Sequence, residues 1–453
     1  MADSGCARVS AREAISAVAG SFTEHRPAVR PAPADGPLGW SGYGESRARA
    51  SARTGEEESV VYGTAAVGGR ECVLVSFEFG FLGGSLGSRT GDRLEAAYTL
   101  AAERRLPLVS LVATGGSRMQ EGMIALVQLQ RVARASTSLR AAGLAQIAVL
   151  RDPTTGGGWA TVGAGADVVL ALPGAQIGFA GSRVRPADAD PYAYTAEGQL
   201  AAGQIDAVVA PEELPVTLGR WLAALTVTGP VQAAPVPEAL SAAELPATGW
   251  EAVEQARAAD RPRAEAYLDA YFDHRLPLAG DRCGGRDPGL LCGVGTHAGR
   301  AVAYAAQCGT ATRPAGYRTA ARVIRLADRL GLPVLTLIDT PGAANDAEAE
   351  RAGAGAAIAD VFAAVAGARV PVTTLVIGEG GSGGALALAS PDNTHVTADS
   401  YFSVIAPEPA AAILKRGPDE VRSTADQLRL RPQDLVELGV ARSVVGLARA
   451  QDT

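Results

Sequence analysis

The two halves of this chain carry the same residue pattern, and this repeat limits the possible folds more than any other feature. A shift of 226 residues places LPLVSLVATGG (106–116) on LPVLTLIDTPG (332–342), and TTGGG (154–158) on GGSGG (380–384). The same shift superimposes two sets of apolar positions spaced i, i+3, i+4 and i+7: Leu94, Ala97, Tyr98 and Ala101 on Ala320, Val323, Ile324 and Ala327. A helix face, a strand and a glycine turn that match at one offset indicate an internal duplication.

Each half has the same predicted order of elements. An amphipathic helix leads into a buried strand, Leu108–Ala113 or Val334–Asp339, and a Gly/Pro turn and another helix follow. A second strand, Ile147–Leu150 or Thr373–Ile377, then ends in a glycine-rich turn and a further helix. Short apolar strands that alternate with helices predict an α/β fold with parallel, buried strands. Ligands bind at the carboxyl ends of such strands, where both glycine clusters lie.

The length of 453 residues suits two domains, and composition suggests their limits. Residues 1–55 are rich in Ala, Arg, Pro and Ser, which predicts a partly disordered arm with one short helix near 10–20. Residues 56–227 form the first predicted domain and 274–453 the second. Between them, 228–273 reads as a Pro/Ala-rich linker that leads into a helix.

Charge and cysteine content exclude several classes of protein. The net charge of −7 argues against nucleic-acid binding, and Lys415 is the only lysine. The five cysteines form no CxxC pair, so neither a zinc site nor a disulfide framework is expected. The chain has no signal-peptide pattern at its start and no apolar run long enough to span a membrane, so we predict a cytoplasmic protein.

The glycine turns are the best candidates for chemistry. Gly115–Gly116 follows one buried strand, and Gly383–Gly384 lies in a turn after another. Glycine lets peptide N–H groups approach a ligand closely, and these donors could hold phosphate or a developing oxyanion. Because the Gly-Lys-Ser/Thr signature of a phosphate loop is missing, oxyanion stabilisation is the sharper hypothesis.

Side-chain catalysts are scarce. None of the histidines lies in a known catalytic frame: His25, His274, His297 and His395. We interpret Asp339 as a turn or helix-cap acid, and Ser382 as a small packing residue rather than a nucleophile. The chemistry is therefore expected to depend on backbone donors and a cofactor.

Longer motifs resemble a known family. Four segments resemble the β subunit of bacterial acetyl-CoA carboxylase carboxyltransferase: FGFLGGSLGSRTGDRLEAA (79–97), ATGGSRMQEG (113–122), RDPTTGGGWA (151–160) and IGFAGSRV (177–184). Three are similar to the α subunit: GYRTAARVIRLADRLGLPVLTLIDTPGA (316–343), IGEGGSGGALALA (377–389) and YFSVIAPEPAAAIL (401–414). The order is that of a β–α fusion.

The resemblance implies a fold, a reaction and a set of partners. The fold would be two tandem crotonase-like (ClpP/crotonase) β-β-α superhelix domains related by duplication. The reaction would move a carboxyl group from carboxybiotin, carried on a separate protein, to the α-carbon of a short acyl-CoA such as acetyl-CoA. A biotin carboxyl carrier protein and a biotin carboxylase would be supplied in trans. Active sites would lie between two copies of the chain, in a homodimer or larger even-numbered assembly.

The resemblance also implies roles for particular residues. Gly115 and Gly116 would form one backbone oxyanion hole, and Gly383 and Gly384 the other. Positions that match the surrounding motifs would bind substrate: Gly83, Gly84, Gly157, Gly158, Arg183, Gly380, Gly381 and Ser382. Arg183 would contact the CoA phosphates. Biotin would take the α-proton, in keeping with the shortage of side-chain bases.

Several departures from the family pattern leave other functions open. Residues 1–55 contain only Cys6 where a four-cysteine zinc ribbon is usual, so we predict no zinc. Gln307–Cys308–Gly309 lacks the usual lysine, Trp159 replaces a small residue, and 351–359 reads RAGAGAAIA. A biotin-independent decarboxylase of a malonyl-type thioester and an inactive scaffold subunit are therefore the alternatives. A crotonase-type hydratase is less favoured, because no paired glutamates accompany the glycine turns.

Overall fold

The computed structural model describes residues 9–27, 33–226 and 229–446. The chain forms two compact units, Met1–Thr226 and Val227–Thr453. Each unit is built around one eight-stranded sheet. No helix in the described ranges is both long and apolar enough to cross a membrane.

Unit 1 contains eight strands and eight α-helices in its described residues. The strands are β1 Ser21–His25, β2 Val60–Val67, β3 Arg70–Phe77, β4 Leu108–Thr114, β5 Gln146–Thr155, β6 Val168–Ala171, β7 Ile177–Gly178 and β8 Ala207–Val208. The helices are α1 Ala11–Val18, α2 Tyr43–Thr54, α3 Ser88–Arg104, α4 Gly122–Leu126, α5 Gln128–Ala141, α6 Gly156–Gly158, α7 Ala196–Ala201 and α8 Leu214–Leu225. The sheet order is β1-β2-β3-β4-β5-β6-β8, with β7 on β5. All pairings from β3 onward are parallel.

Unit 2 repeats this plan. The strands are β9 His274–Pro277, β10 Leu290–His297, β11 Arg300–Gln307, β12 Val334–Thr340, β13 Val372–Gly381, β14 Thr394–Thr397, β15 Tyr401–Ser403 and β16 Val444–Val445. The helices are α9 Gly249–Arg257, α10 Ala264–Tyr271, α11 Pro314–Leu330, α12 Ala347–Arg351, α13 Ala354–Ala366, α14 Ser382–Leu386, α15 Pro407–Ile413, α16 Val421–Gln427 and α17 Pro432–Glu437. The sheet order is β9-β10-β11-β12-β13-β14-β16, with β15 on β13.

The two sheet orders correspond strand for strand, which confirms the predicted duplication and the α/β class. The offset of 226 residues holds for the starts of β4 and β12, β5 and β13, and β6 and β14. It changes by one residue at the short strands, because Thr154 pairs with Ile177 whereas Gly380 pairs with Phe402. Every residue of β4 and of β12 is buried, as expected for central parallel strands.

The repeated helix face is also present. In α3, Leu94, Ala97, Tyr98 and Ala101 are buried. The four matching residues of α11 are buried too: Ala320, Val323, Ile324 and Ala327. Each helix packs against the following long helix of its own unit, α5 or α13. The periodicity therefore predicted both the elements and their inward faces.

The short helix predicted near 10–20 is present as α1, and the described residues of the N-terminal arm also contain β1 and α2. Ser10 caps α1 through a reciprocal bond with Glu13, and the apolar face of that helix is buried. Strand β1 pairs antiparallel with β2, and α2 follows. The Ala- and Arg-rich composition of residues 1–55 did not indicate that β1 would form the edge strand of the sheet. Residues 1–8 and 28–32 lie outside the described ranges.

The segment predicted as linker and helix belongs largely to unit 2. Residues 229–248 contain no helix or strand, and α9 and α10 follow. Tyr267 and Leu268 of α10 are buried in one apolar cluster with Tyr304 of β11 and Leu335 of β12. This stretch is therefore part of a core rather than a free connection.

Candidate active site

Two glycine turns meet at the carboxyl ends of β4 and β5 in unit 1. Gly116 follows β4 with φ 104°, and Gly156 opens α6 with φ 63°. A Cβ on Gly156 would lie only 2.9 Å from the Cα of Gly116, so the two turns touch through backbone. A side chain at either position would be strained by its φ, and one at Gly156 would also push the two turns apart.

The amides of Gly115 and Gly116 are already used within the protein. The N–H of Gly115 donates to the carbonyl of Gly83 at 2.8 Å, and that of Gly116 donates to Thr114 Oγ1 at 3.1 Å. An oxyanion hole needs N–H groups that point at the ligand. Both N–H groups therefore have partners within the protein, whereas the predicted hole requires them to face a ligand; their turn lies against the start of α6.

Gly157 and Gly158 lie where free donors are expected, in the first turn of α6. Within residues 33–226, no turn, loop or side-chain acceptor is bonded to either N–H. The first N–H groups of a helix have no partner inside it. A Cβ on Gly157 would lie 2.6 Å from Leu129 Cδ1, and one on Gly158 would collide with Thr114 Cγ2. The sequence had assigned this pair only to substrate binding.

Gly83 and Gly84 support the same corner. Both have positive φ, 68° and 61°. The carbonyl of Gly83 accepts the N–H of Gly115, and a Cβ on Gly84 would collide with the carbonyl of Ala113. These two glycines therefore allow their loop to lie against the end of β4.

Unit 2 has the matching turn at the start of α14. Ser382 has φ 60°, the counterpart of Gly156, which is an unusual conformation for a non-glycine residue. A Cβ on Gly381 would collide with the carbonyl of Pro341, and one on Gly384 with Ala343 N. At Gly383 a Cβ would meet nothing within 4 Å. Gly380 lies against Phe402, where a Cβ would come within 2.6 Å of the ring.

The N–H groups of Gly383 and Gly384 match those of Gly157 and Gly158. Within residues 229–446, no turn, loop or side-chain acceptor takes either of them. Among the four glycines of the two pairs, only Gly383 combines an open position with an ordinary φ. A substitution there would test the site without disturbing its support.

The scaffold beneath both turns is duplicated down to single hydrogen bonds. Thr114 Oγ1 accepts the N–H of Gly116 at 3.1 Å, and Thr340 Oγ1 accepts that of Gly342 at 3.2 Å. An isolated bridge joins Leu86 to Ser117 in unit 1 and Thr312 to Ala343 in unit 2. The same local geometry is thus built twice.

Arg183 lies apart from these bonded turns. It is exposed in the loop after β7, between Gly181 and Val184, which are joined by a backbone hydrogen bond of 3.0 Å. The same loop reaches the start of α6, where Phe179 accepts the N–H of Gly156 at 3.1 Å. Arg183 therefore stands on a loop anchored beside the glycine turn.

Two buried side chains hold the carbonyl of Gly384, a contact that no local sequence pattern predicts. Tyr317 Oη donates to that carbonyl at 3.0 Å and Gln307 Nε2 at 3.2 Å. Gln307 Nε2 also donates to Thr312 Oγ1 at 3.0 Å. Burial raises the pKa of Tyr317 above its usual value, so its phenol stays protonated and remains a donor.

A buried ion pair holds the first turn of unit 1. Arg118, two residues after Gly116, donates to both carboxylate oxygens of Glu58, and its Nη1 donates to Tyr43 Oη at 3.1 Å. Tyr43 Oη in turn donates to Glu121 Oε1 at 2.6 Å. Burial alone would raise the pKa of Glu58, but the charge and hydrogen bonds of Arg118 hold it at about 2. Burial raises the pKa of Tyr43 to about 12.

Asp339 is not the turn or cap acid that the sequence suggested. It is fully buried and accepts two hydrogen bonds of 2.9 Å from Arg261 Nη2, one on each oxygen. Arg263 Nη1 adds a third contact of 3.2 Å. Both arginines come from the segment predicted as linker, which no local pattern connects to Asp339. The acid therefore fastens that segment to β12 rather than acting as a base.

Residues 9–27, 33–226 and 229–446 contain no cluster of three or more metal-ligating side chains. The absence of zinc stays a prediction. The neighbours of the paired glycines are apolar groups, backbone atoms and hydroxyls. The site is therefore composed of backbone donors.

This architecture has counterparts among solved structures. Transcarboxylase 12S, crystallised as a hexamer with methylmalonyl-coenzyme A, matches with a TM-score of 0.76 at 20% sequence identity. The match covers 96% of this chain and 86% of that one. The fold is thus the two-domain, crotonase-like fold of the carboxyltransferases.

Sequence comparisons agree. The family model "Carboxyl transferase domain" matches residues 41–208, and "Acetyl co-enzyme A carboxylase carboxyltransferase-like" matches 243–449. The acetyl-coenzyme A carboxylase carboxyl transferase subunits beta/alpha of Saccharopolyspora erythraea are 39% identical, over 94% of this chain and 78% of theirs. A probable biotin-dependent acyl-coenzyme A carboxylase beta3 subunit of Mycobacterium bovis is 34% identical, over 89% and 83%. The chain belongs to the biotin-dependent acyl-CoA carboxyltransferases, an enzyme family, with β-like and α-like halves in one polypeptide.

Proposed function

We propose that this chain transfers a carboxyl group from carboxybiotin, borne by a separate carrier protein, to the α-carbon of a short acyl-CoA such as acetyl-CoA. The supporting observation is the matched pair of glycine N–H donors at the carboxyl ends of β5 and β13. Saccharopolyspora erythraea and Mycobacterium bovis relatives are named for acetyl-CoA and acyl-CoA carboxylation respectively.

Each glycine pair has one task in this proposal. The N–H groups of Gly157 and Gly158 hold one oxygen that becomes negative during transfer, and those of Gly383 and Gly384 hold the other. This revises the pairing expected from sequence, because Gly115 and Gly116 have no free N–H. Donors of this kind lower a barrier because they already point at the developing charge.

The residues around the turns fit a reaction without a side-chain base. Carboxybiotin supplies the carboxyl group, and biotin takes up the α-proton of the acyl-CoA. No carboxylate or imidazole is among the nearest atoms to the four glycine positions, and Tyr317 beside Gly384 is held protonated by burial. The protein's part is to bind the thioester, orient it and stabilise negative oxygen.

The proposal includes partner proteins and self-association. A biotin carboxylase and a biotin carboxyl carrier protein supply the carboxyl group, and Arg183 contacts the CoA phosphates. The chain pairs in an even-numbered homo-oligomer, with the β-like half of one copy facing the α-like half of another. Unit 1 exposes adjacent apolar side chains after the first glycine turn, a feature typical of contact surfaces: Met119, Met123, Ile124, Leu126 and Val127.

Reconstitution tests the proposal. The purified chain is combined with a biotin carboxylase, a biotinylated carrier, ATP, labelled bicarbonate and acetyl-CoA, and labelled malonyl-CoA is measured. Propionyl-CoA and longer thioesters run in parallel to define the acyl group. Carboxylation that requires the chain, the carrier and biotin supports the proposal.

Two other outcomes would replace it. Release of CO2 from malonyl-CoA by the chain alone, with no effect of biotin, would identify a decarboxylase. Absence of turnover together with no acyl-CoA binding by calorimetry would identify a scaffold subunit. Light scattering gives an independent check, because a monomer would contradict a site shared between copies.

A further inference from the structure

The carbonyl of Gly384 has left the helical hydrogen-bond pattern. In α14, the N–H of Ala387 donates to Gly383 at 3.0 Å, as a helix requires. The next N–H, that of Leu388, donates to Ala385 at 3.2 Å and so passes over Gly384. The acceptors of a helix end must find other donors, and here Tyr317 and Gln307 supply them.

These two hydrogen bonds set the orientation of the proposed oxyanion hole at Gly383 and Gly384. The Gly384 carbonyl and the Gly384 N–H belong to adjacent peptide planes that share the Cα of Gly384. Fixing the carbonyl from two directions restricts rotation about that Cα, where glycine itself offers little restraint. The direction of the N–H is thereby restricted as well.

The cluster is buried and carries an unpaired atom. Gln307 and Thr312 are fully buried, and Tyr317 is 1% exposed. Gln307 Oε1 has no hydrogen-bond partner, although its Nε2 has two. Leaving a buried acceptor unpaired lowers stability. An apolar side chain of this size would avoid that cost, so the amide serves the carbonyl that it holds.

The described residues 33–226 of unit 1 contain no equivalent pair of donors. The 226-residue offset places Gly91 opposite Tyr317, and the space beside Gly91 is filled by Gln128. The strand that corresponds to β11 ends in Phe77, where β11 ends in Gln307. Among the described residues, these hydrogen bonds to the glycine carbonyl occur in unit 2, and the fold does not require them.

We infer that Tyr317 and Gln307 are positioning residues for carboxyl transfer, which orient the N–H of Gly384 by holding its carbonyl. The inference rests on the proposed function, because it assigns these residues to the second hole. Both side chains bond to the carbonyl of Gly384 rather than to its N–H. Their removal should therefore lower kcat and leave the affinity for acyl-CoA nearly unchanged.

Steady-state kinetics of the reconstituted carboxylase tests the inference with Tyr317→Phe and Gln307→Met. Each removes one donor and keeps most of the buried volume. We expect kcat to fall about 10- to 100-fold, since small misplacement of a catalytic group has effects of this size. KM for acetyl-CoA should change less than about threefold. The matched control is Tyr304→Phe, another buried phenol of unit 2, which should keep the wild-type kcat.

The outcomes separate this inference from the function on which it rests. A wild-type chain that does not carboxylate acyl-CoA overturns both. Active wild type, with Tyr317→Phe and Gln307→Met no different from Tyr304→Phe, overturns the inference alone. A rise in KM with unchanged kcat also overturns it, because the pair would then serve binding. Thermal unfolding of all three variants identifies any that lose the fold; if Tyr317→Phe does so, Gln307→Met decides.

Discussion

The two units have the same backbone architecture and differ in the side chains that hold their glycine turns in place. In unit 1 a buried ion pair, Arg118 with Glu58, holds the turn after β4. In unit 2 neutral donors, Tyr317 and Gln307, hold the glycine turn itself. The buried ion pair of this unit joins Asp339, within β12, to Arg261. By the 226-residue offset, Asp339 corresponds to Ala113 and Arg118 to Ala344.

Duplication preserved the placement of the backbone donors, whereas the side chains that support them have diverged. The Thr–Gly bond and the bridge after it are the same in both units. The side chains around them differ between the two units in charge and in their positions along the chain. Substitutions in the buried ion pair of unit 1 should therefore lower the free energy of unfolding, whereas substitutions of the neutral donors of unit 2 should lower kcat.

The largest effect is expected from Arg118→Met. Removing one partner of a buried ion pair leaves the other charge uncompensated, at a cost of about 3–5 kcal/mol. Urea unfolding should show this loss in the free energy of unfolding of unit 1. The matched control is Arg325→Met, whose partner Asp360 is half exposed, and which should cost less than about 1 kcal/mol. Equal losses in the two variants would contradict the importance of the buried pair.

The next largest effect is expected at Gly383. Valine there would occupy the open space beside the two N–H groups and displace the oxyanion, while leaving packing intact. Loss of one such interaction raises the barrier by about 2.7–4 kcal/mol, or about 100- to 1,000-fold in kcat. Gly355→Val, at an exposed and equally open position in α13, is the control. A fully active Gly383→Val would remove the second hole from the mechanism.

Low pH should destabilise unit 1 through protonation of Glu58. Glu58 has its pKa lowered from 4.5 to about 2 in the folded protein. A carboxyl with a depressed pKa stabilises the fold above its unfolded pKa, and this contribution is lost as the pH falls through the folded value. Stability of unit 1 should therefore decline between about pH 4.5 and pH 2. Glu58→Gln, followed by circular dichroism across that range, should be less stable at neutral pH and show a shallower decline; a slope equal to wild type would exclude this cause.

The smallest effect is expected at Arg183. An exposed cation that contacts a phosphate contributes about 1 kcal/mol, so Arg183→Ala should raise KM for acetyl-CoA about fivefold and leave kcat unchanged. Increasing salt should weaken binding by wild type more than by the variant. Arg104→Ala, a substitution at the end of α3, provides the control. An unchanged KM would indicate that Arg183 does not contact the CoA phosphates.

Local patterns predicted much of this fold. Helical spacing identified the inward faces of α3 and α11, apolar runs identified β4 and β12, and glycine marked the turns that end the strands. These signals lie within a few residues of each other. The same reasoning found α1 but not β1 or α2, because the Ala/Arg-rich composition of residues 1–55 does not indicate a strand at the edge of the sheet or a second helix.

Long-range partners were beyond such patterns. Gln307 and Tyr317 meet the carbonyl of Gly384 from 77 and 67 residues away, and Arg118 meets Glu58 across 60. Nothing in the local sequence states that a tyrosine of α11 will face a particular carbonyl. Whether an N–H is free also depends on distant residues, as for Gly115, whose N–H donates to Gly83. Sequence patterns therefore favour Gly115–Gly116 over Gly157–Gly158 as a hole.

A crystal structure with a bound, unreactive acyl-CoA enolate analogue would show whether the paired glycine N–H groups hold the negative oxygen. We expect the analogue's oxygen to lie about 2.7–3.1 Å from the amide nitrogens of one glycine pair, Gly157–Gly158 or Gly383–Gly384. The bond from Tyr317 to the Gly384 carbonyl should remain. An analogue whose oxygen binds a side chain or metal, with both glycine pairs bonded to other atoms of the protein, would rule out the two backbone oxyanion holes.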